Sequence, residues 1–264
     1  MRLEVPRRAT RLCLIGSLLL SGCAAQEPEW TPLFNGEDLT GWTPQIRGSA
    51  LGEDPAGTFR VEDGLLTVGY EGYDAFDARF GHLFWEAPLS HYRLLVEYRF
   101  VGEQAAGGPE WALRNSGVMF HAQAPETMGR DQDFPISLEA QFLGGNGTDP
   151  RPTANLCTPG THVHVEGELV EQHCVGASAP TFHGDEWVTV ELVVRGGDSV
   201  THLVNGDTVM TYERPVIGGG SVSGFAPEAK PDGRALTGGW IALQSESHPV
   251  QFRRVLLRRL DPGS

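Results

Sequence analysis

Apolar and polar residues alternate in short runs along most of this chain. Gly, Pro, Asn or Asp punctuates the runs, a pattern that predicts strands and turns rather than helices. From His91 to Phe100, alternation puts Tyr92, Leu94, Val96, Tyr98 and Phe100 on one face, with Arg93, Leu95, Glu97 and Arg99 on the other. Thr58 to Val61 and Leu65 to Val68 flank Glu62-Asp63-Gly64 and read as a hairpin with its turn. A second hairpin follows the run Trp187 to Arg195 and joins Val200–Val204 to Thr208–Tyr212 through Asn205-Gly206. Gly239 to Gln244 and Val250 to Leu257 read as closing strands. Hardly any stretch keeps a helical period over three turns, so the expected class is an all-β, two-sheet sandwich.

The chain begins differently. Met1 to Arg11 is a basic head, Leu12 to Leu20 an apolar body, and Leu20-Ser21-Gly22-Cys23 places small residues before a cysteine. That is the anatomy of a lipoprotein export signal. An apolar body of about nine residues is far shorter than the roughly 20 that span a bilayer. The expected organisation is a signal over 1–22, a lipidated tether over 23–30 beginning at an acylated Cys23, and one domain over 31–261. Ala24 and Ala25 offer no aspartate for inner-membrane retention, so the expected location is the cell envelope, on the outer membrane, with the lipid anchor as the sole membrane contact.

The formal charge is −14, and it becomes −17 once the signal, with four arginines and one glutamate, is removed. Such a surface repels phosphate backbones and argues against nucleic acid, while neutral substrates and cations stay compatible. With Cys13 in the signal and Cys23 used by lipid, Cys157 and Cys174 remain as a pair in an oxidising compartment, and a disulfide is expected. The sharper alternative is a metal site on both thiolates with His162, His164 or His173. Both cysteines lie between Gly144 and Asp185, a segment rich in Gly, Pro, Thr and His that reads as a long loop or hairpin excursion pinned by the disulfide.

Alternation also sorts candidate chemistry. On two neighbouring strands, Asn115, His121, Glu139 and Gln141 fall on one polar face, opposite Val118, Phe120, Leu138 and Ala140. Near the last turn, Gln244, Glu246, His248 and Arg253 crowd together; one of them is expected to reach the same cleft, the other reading being a polar hairpin end and, for Arg253, a surface salt bridge. Of Trp42, Trp85, Trp111 and Trp240, one or two are expected to stack on a ligand ring, the others being core.

Several segments in order resemble the bacterial family of 3-keto-disaccharide hydrolases. They are Leu33-Phe-Asn-Gly-Glu-Asp-Leu-Thr-Gly-Trp42, Val61-Glu-Asp-Gly-Leu65, Tyr92 to Arg99, Asn115-Ser-Gly-Val-Met-Phe120 and Leu138-Glu-Ala-Gln141. Trp187 with Val204-Asn-Gly206, Gly239-Trp-Ile-Ala-Leu-Gln244 and Val250-Gln-Phe-Arg253 complete the set. The resemblance implies a jelly-roll sandwich of the concanavalin A-like lectin and glucanase type, with a sheet that holds sugar. It also implies cleavage of glycosides already oxidised at C3, by a lyase step and then hydration. The 144–185 excursion departs from that pattern, as does His121, where family members often carry arginine.

A 3-keto group acidifies the C2 proton, so one base and one oxyanion stabiliser suffice. Glu139 or His121 is the expected base, and Asn115, Gln141, Gln244, His248 and Arg253 are the expected substrate-binding residues. No cofactor is required by the pattern. A divalent cation such as calcium is the one candidate, although no contiguous calcium loop is present. Ordinary two-carboxylate hydrolysis is disfavoured, because Leu138 to Phe142 supplies one carboxylate and an amide. The second reading is a non-catalytic carbohydrate-binding lipoprotein of the same fold, and a third is a structural lipoprotein without a sugar cleft.

Overall fold

The computed structural model describes Met1 and residues 29–263. The expected signal, Cys13, the Cys23 lipidation site and most of the tether lie outside the described residues. What is described forms a jelly-roll sandwich of two antiparallel sheets, with strands numbered in chain order.

The smaller sheet runs, in spatial order, β12 (Cys174–Val175), β9 (Asn155–Cys157), β8 (Leu138–Leu143), β7 (Asn115–Ala122), β16 (Trp240–Ser245), β5 (Gly81–Trp85) and β2 (Trp42–Ile46). The larger runs β11 (Glu168–Val170), β10 (Thr161–Val165), β15 (Asp207–Ile217), β14 (Ser199–Val204), β13 (Val188–Arg195), β6 (His91–Phe100), β17 (Val250–Arg259), β4 (Leu65–Val68) and β3 (Phe59–Glu62). The short β1 (Thr31–Pro32) adds to β17.

The hairpins form where turn chemistry predicts them. Asp63 and Gly64 have φ of 51° and 77°, and Asn205 and Gly206 have 50° and 96°. Positive φ at both central residues is what a type I′ turn needs to match the twist of its strands. Between the sheets, Tyr92, Leu94, Val96, Tyr98 and Phe100 of β6 pack against Val118 and Phe120 of β7 and Leu138, Ala140 and Phe142 of β8. Tyr98 stacks on Phe142 with ring centroids 4.2 Å apart. Each such side chain contributes about 1.5–3 kcal/mol by leaving water.

The 144–185 excursion is more regular than a pinned loop. Its β9 and β12 extend the smaller sheet while β10 and β11 extend the larger, so the segment stitches both layers at one edge. Cys157 and Cys174 are direct cross-strand partners and form the disulfide, which excludes the dithiolate metal site. His162 and His164 sit on β10 in the larger sheet; only His173 lies beside the bridge.

The disulfide closes a loop spanning 17 residues. In the chain-entropy picture this is worth about 3 kcal/mol. The Cys157→Ser/Cys174→Ser double variant should therefore melt roughly 10 °C lower than the oxidised protein, read by calorimetry.

Candidate active site

One face of the smaller sheet belongs to the core, yet the other is not open to solvent. Every residue of β7 is buried, including those that alternation turns outward. Loops close over this outer face and leave a cleft of about 640 Å³ lined by Trp111, Asn115, Phe134, Glu139, Gln141, Arg151, His173, the disulfide, Ser221–Ser223 and Glu246, among others. Register builds its floor. His82 on β5 pairs with Gln244 on β16, and Gly117 on β7 pairs with Gln141 on β8, which pairs in turn with Asn155 on β9. In the adjoining row, Ala242, Met119, Glu139 and Cys157 succeed one another across four strands.

Gly117 matters for what it lacks. A Cβ there would sit 2.6 Å from Glu139 Oε1 and 3.0 Å from Glu139 Cγ, so the Glu139 side chain occupies the space that the glycine leaves free. On the other side of β7, at the end of β16, comes Glu246. Both carboxyls are nearly inaccessible to water, at 6% and 4% exposure. Burial raises Glu139 above the usual carboxylate range, and burial together with the neighbouring Glu139 raises Glu246. Two carboxyls so placed favour holding a proton between them.

The polar groups around the pair are short of partners. Gln244 Nε2 donates to Glu246 Oε1 at 3.0 Å. Among the described residues, nothing reaches Asn115 Oδ1, Glu139 Oε1, Gln244 Oε1, Glu246 Oε2, His82 Nε2 or either ring nitrogen of His248. Buried polar atoms are ordinarily satisfied, so a concentration of unsatisfied ones marks a place for a ligand or ordered water. Desolvation keeps both imidazoles neutral, His82 pushed down to about 3 and His248 to about 4, the latter also by Arg114 and Arg151.

The loop that carries Glu246 and His248 is held under strain. Ser247 between them has φ 90°, unusual for a residue with a side chain. Its backbone N–H donates to the Tyr70 hydroxyl at 2.8 Å, its carbonyl accepts from Ala105 N–H at 2.8 Å, and its Oγ accepts from Gln104 Nε2 at 2.9 Å. Four contacts with distant segments thus impose a backbone that alternation does not foresee, once the Tyr70 hydroxyl bond to Ser245 Oγ at 2.8 Å is included. Trp111, 53% exposed and stacked on Phe80, is the aromatic platform at the cleft. Trp42 is core and packs edge-on against Trp85, while Trp240 lines a second cleft.

Asn115, Glu139 and Gln141 come together as the sequence predicts, with Gln244 in the neighbouring floor position. Two expected residues do not join them. His121 has φ 47° and sits in a bulge where Trp240 opposes Ala122 and Ala242 opposes Met119. The extra residue reverses alternation, so His121 donates from Nε2 to Gly196 O of the opposite sheet at 2.8 Å and lines the second cleft, not that of Glu139. Arg253 lies on the larger sheet, where Nε donates to Glu97 Oε2 at 2.6 Å and Nη2 to Glu97 Oε1, with the guanidinium 4.5 Å from the Trp187 ring centroid. It serves an ion pair, not the cleft. Glu246, which the sequence places in the crowded last turn but gives no role, lines the cleft with Glu139, and with it the expectation of a single carboxylate is corrected. The only sequence signal was its place beside Gln244.

Residues 29–258 match the family model described as 3-keto-alpha-glucoside-1,2-lyase-like domain. Among solved structures, the chain is similar to two candidate glycosyl hydrolases of Parabacteroides distasonis. One is 22% identical with a TM-score of 0.50, over 88% of this chain and 94% of that one. The other is 16% identical with a TM-score of 0.52, over 88% and 100%. At these identities the likeness is one of fold. Among curated proteins, no sequence matches.

The raised carboxyls have a consequence for stability. A group whose folded pKa exceeds its unfolded value stabilises fully below the unfolded pKa, about 4.3 for Glu, and loses that contribution as pH rises. Glu139 and Glu246 therefore weaken the fold progressively above that pH. The Glu139→Gln/Glu246→Gln double variant should melt within a degree or so of the parent near pH 4 and about 5 °C above it at pH 8, by differential scanning calorimetry.

Proposed function

The chain belongs to the 3-keto-alpha-glucoside-1,2-lyase-like domain family, and from that premise we propose that it cleaves glycosides oxidised at C3 by elimination across C1–C2, followed by hydration. The observation that carries the reading is the pair of buried carboxyls, Glu139 and Glu246, lining one cleft. Such a pair offers a base and an acid side by side.

Glu139, whose Oε1 has no hydrogen-bond donor, removes the C2 proton that the C3 carbonyl has acidified. The electrons of that C–H bond pass into the enolate and then form the C1–C2 double bond as the C1–O bond breaks. Glu246, still protonated, gives its proton to the departing oxygen, and Gln244 holds it for that purpose through the hydrogen bond to Oε1. Water then adds at C1 while C2 is reprotonated. Asn115 and Gln141 hydrogen-bond the sugar hydroxyls, and Trp111 offers its ring to the C–H face.

A divalent cation would compete with that proton for the same residues. The unpartnered oxygens of Asn115, Glu139, Gln244 and Glu246 are donors of the hard kind that calcium takes, and a cation held by them would need both carboxyls ionised. Bound there, a cation would stabilise the developing enolate charge.

We also infer export and lipid anchoring through Cys23, on the strength of the basic head, short apolar body and Leu20-Ser21-Gly22-Cys23. Incorporation of labelled palmitate by the parent and its loss in Cys23→Ser checks this.

The enzyme should release aglycone from a 3-keto-glucoside and leave the unoxidised parent intact. Glu139→Gln should lower turnover by about 10²–10⁴-fold. Gly117→Ala, which displaces Glu139 without touching it chemically, should lower turnover at least about tenfold while the fold is retained, seen by circular dichroism. Binding of both sugars with cleavage of neither would instead make the protein a carbohydrate-binding module of the same fold. Loss of activity with a chelator, restored by calcium or another divalent ion, tests the cation.

A further inference from the structure

Resting on the reading of this cleft as a sugar site, we propose that its Arg151 wall is a subsite for a carboxylate, so that the preferred substrate carries a uronic acid.

Arg151 comes from the 144–185 excursion and lines the cleft that holds Glu139 and Glu246. Its backbone N–H donates to Thr181 Oγ1 at 2.7 Å and its Nη1 to Gly144 O at 2.9 Å, which fixes the side chain at the cleft wall. The guanidinium is half-buried, and among the described residues it forms no ion pair, in a chain of formal charge −14. Asp149, the nearest acidic neighbour in sequence, is exposed and directs a carboxylate oxygen to Asn146 at 3.0 Å and Thr148 at 2.8 Å. Arg114, anchored through Nη1 to Gly184 O, adds a second positive charge close enough to be felt by Arg151.

Half-buried charges in proteins are normally paired. Here Arg151 feels the exposed Asp149 and the like charge of Arg114, but among the described residues no carboxylate lies within ion-pair distance of its guanidinium. The cleft wall therefore presents the part of a guanidinium fork that Gly144 O does not engage. Donors of this kind match a planar oxyanion. The carboxyl pair does not serve as that partner. Burial and their mutual repulsion set Glu139 and Glu246, and neither is held down by Arg151.

The test is calorimetric binding of methyl glucuronide, methyl glucoside and glucose 6-sulfate to the protein, none of which requires turnover. The parent should bind the glucuronide about tenfold or more tightly than the glucoside at low salt, with the margin shrinking as ionic strength rises. Arg151→Gln, checked by its melting curve, should bring the ratio near one, and Arg151→Lys should keep part of it. Equal affinity of the parent for glucuronide and glucoside, a preference that survives in Arg151→Gln, or tighter binding of the sulfate than of the carboxylate would each overturn the assignment. An Arg151-dependent preference in a protein that cleaves no 3-keto-glucoside would sink the catalytic reading alone and leave the subsite standing.

Discussion

Two carboxyl groups kept dry beside one another cannot both ionise, and much of the architecture follows from holding Glu139 and Glu246 in that condition. The outer face of a sandwich sheet normally meets water. Here it is roofed by the segments around Trp111, Phe134, Pro159 and Ser221–Ser223, and by the stitched excursion at its edge. Gly117 leaves room for Glu139, and the strained Ser247 backbone delivers Glu246 and His248. Unpaired buried acceptors cost about 1–3 kcal/mol each. A fold can carry such a site only on a large surplus elsewhere, and the core joining β6 to β7 and β8 supplies it.

How much of this was legible depended on whether a residue obeys the simple period of a strand. The sandwich, the two Gly-containing hairpins and the cysteine pair were readable because alternation, turn chemistry and redox compartment are local or compositional signals. Glu139, Gln141 and Asn115 were readable for the same reason, since β7 and β8 pair in the register that alternation assumes. His121 was misplaced because one extra residue opposite Trp240–Ala242 turns its side chain to the other sheet, and nothing in a single sequence announces a bulge. Arg253 was misplaced because closeness in sequence to Gln244 was taken for closeness in space, whereas the turn after Ser247 hands the chain from one sheet to the other. The excursion looked like loop because its strands are two to five residues long and lack room for a visible period.

Glu246 illustrates a deeper limit. Its significance lies in neither its neighbours nor its strand but in topology, which sets β16 and β8 on either side of β7 although they are far apart in the chain. Two carboxylates on one strand can be seen in a sequence; two brought to one cleft from either side of a third strand cannot.

That arrangement also bears on the chemistry. Both carboxyls come from one sheet, Glu139 on β8 and Glu246 just past β16, and both line the same cleft. Retaining and inverting glycosidases hold their carboxyls about 5–9.5 Å apart around the scissile bond and need one of them ionised as nucleophile or as base towards water. Burial of both, with the effect of Glu139 on Glu246, works against that ionisation. A C3 carbonyl acidifies the C2 proton and so lowers the demand on the base, and the proposed elimination therefore asks less of a desolvated pair than attack by water at C1 would.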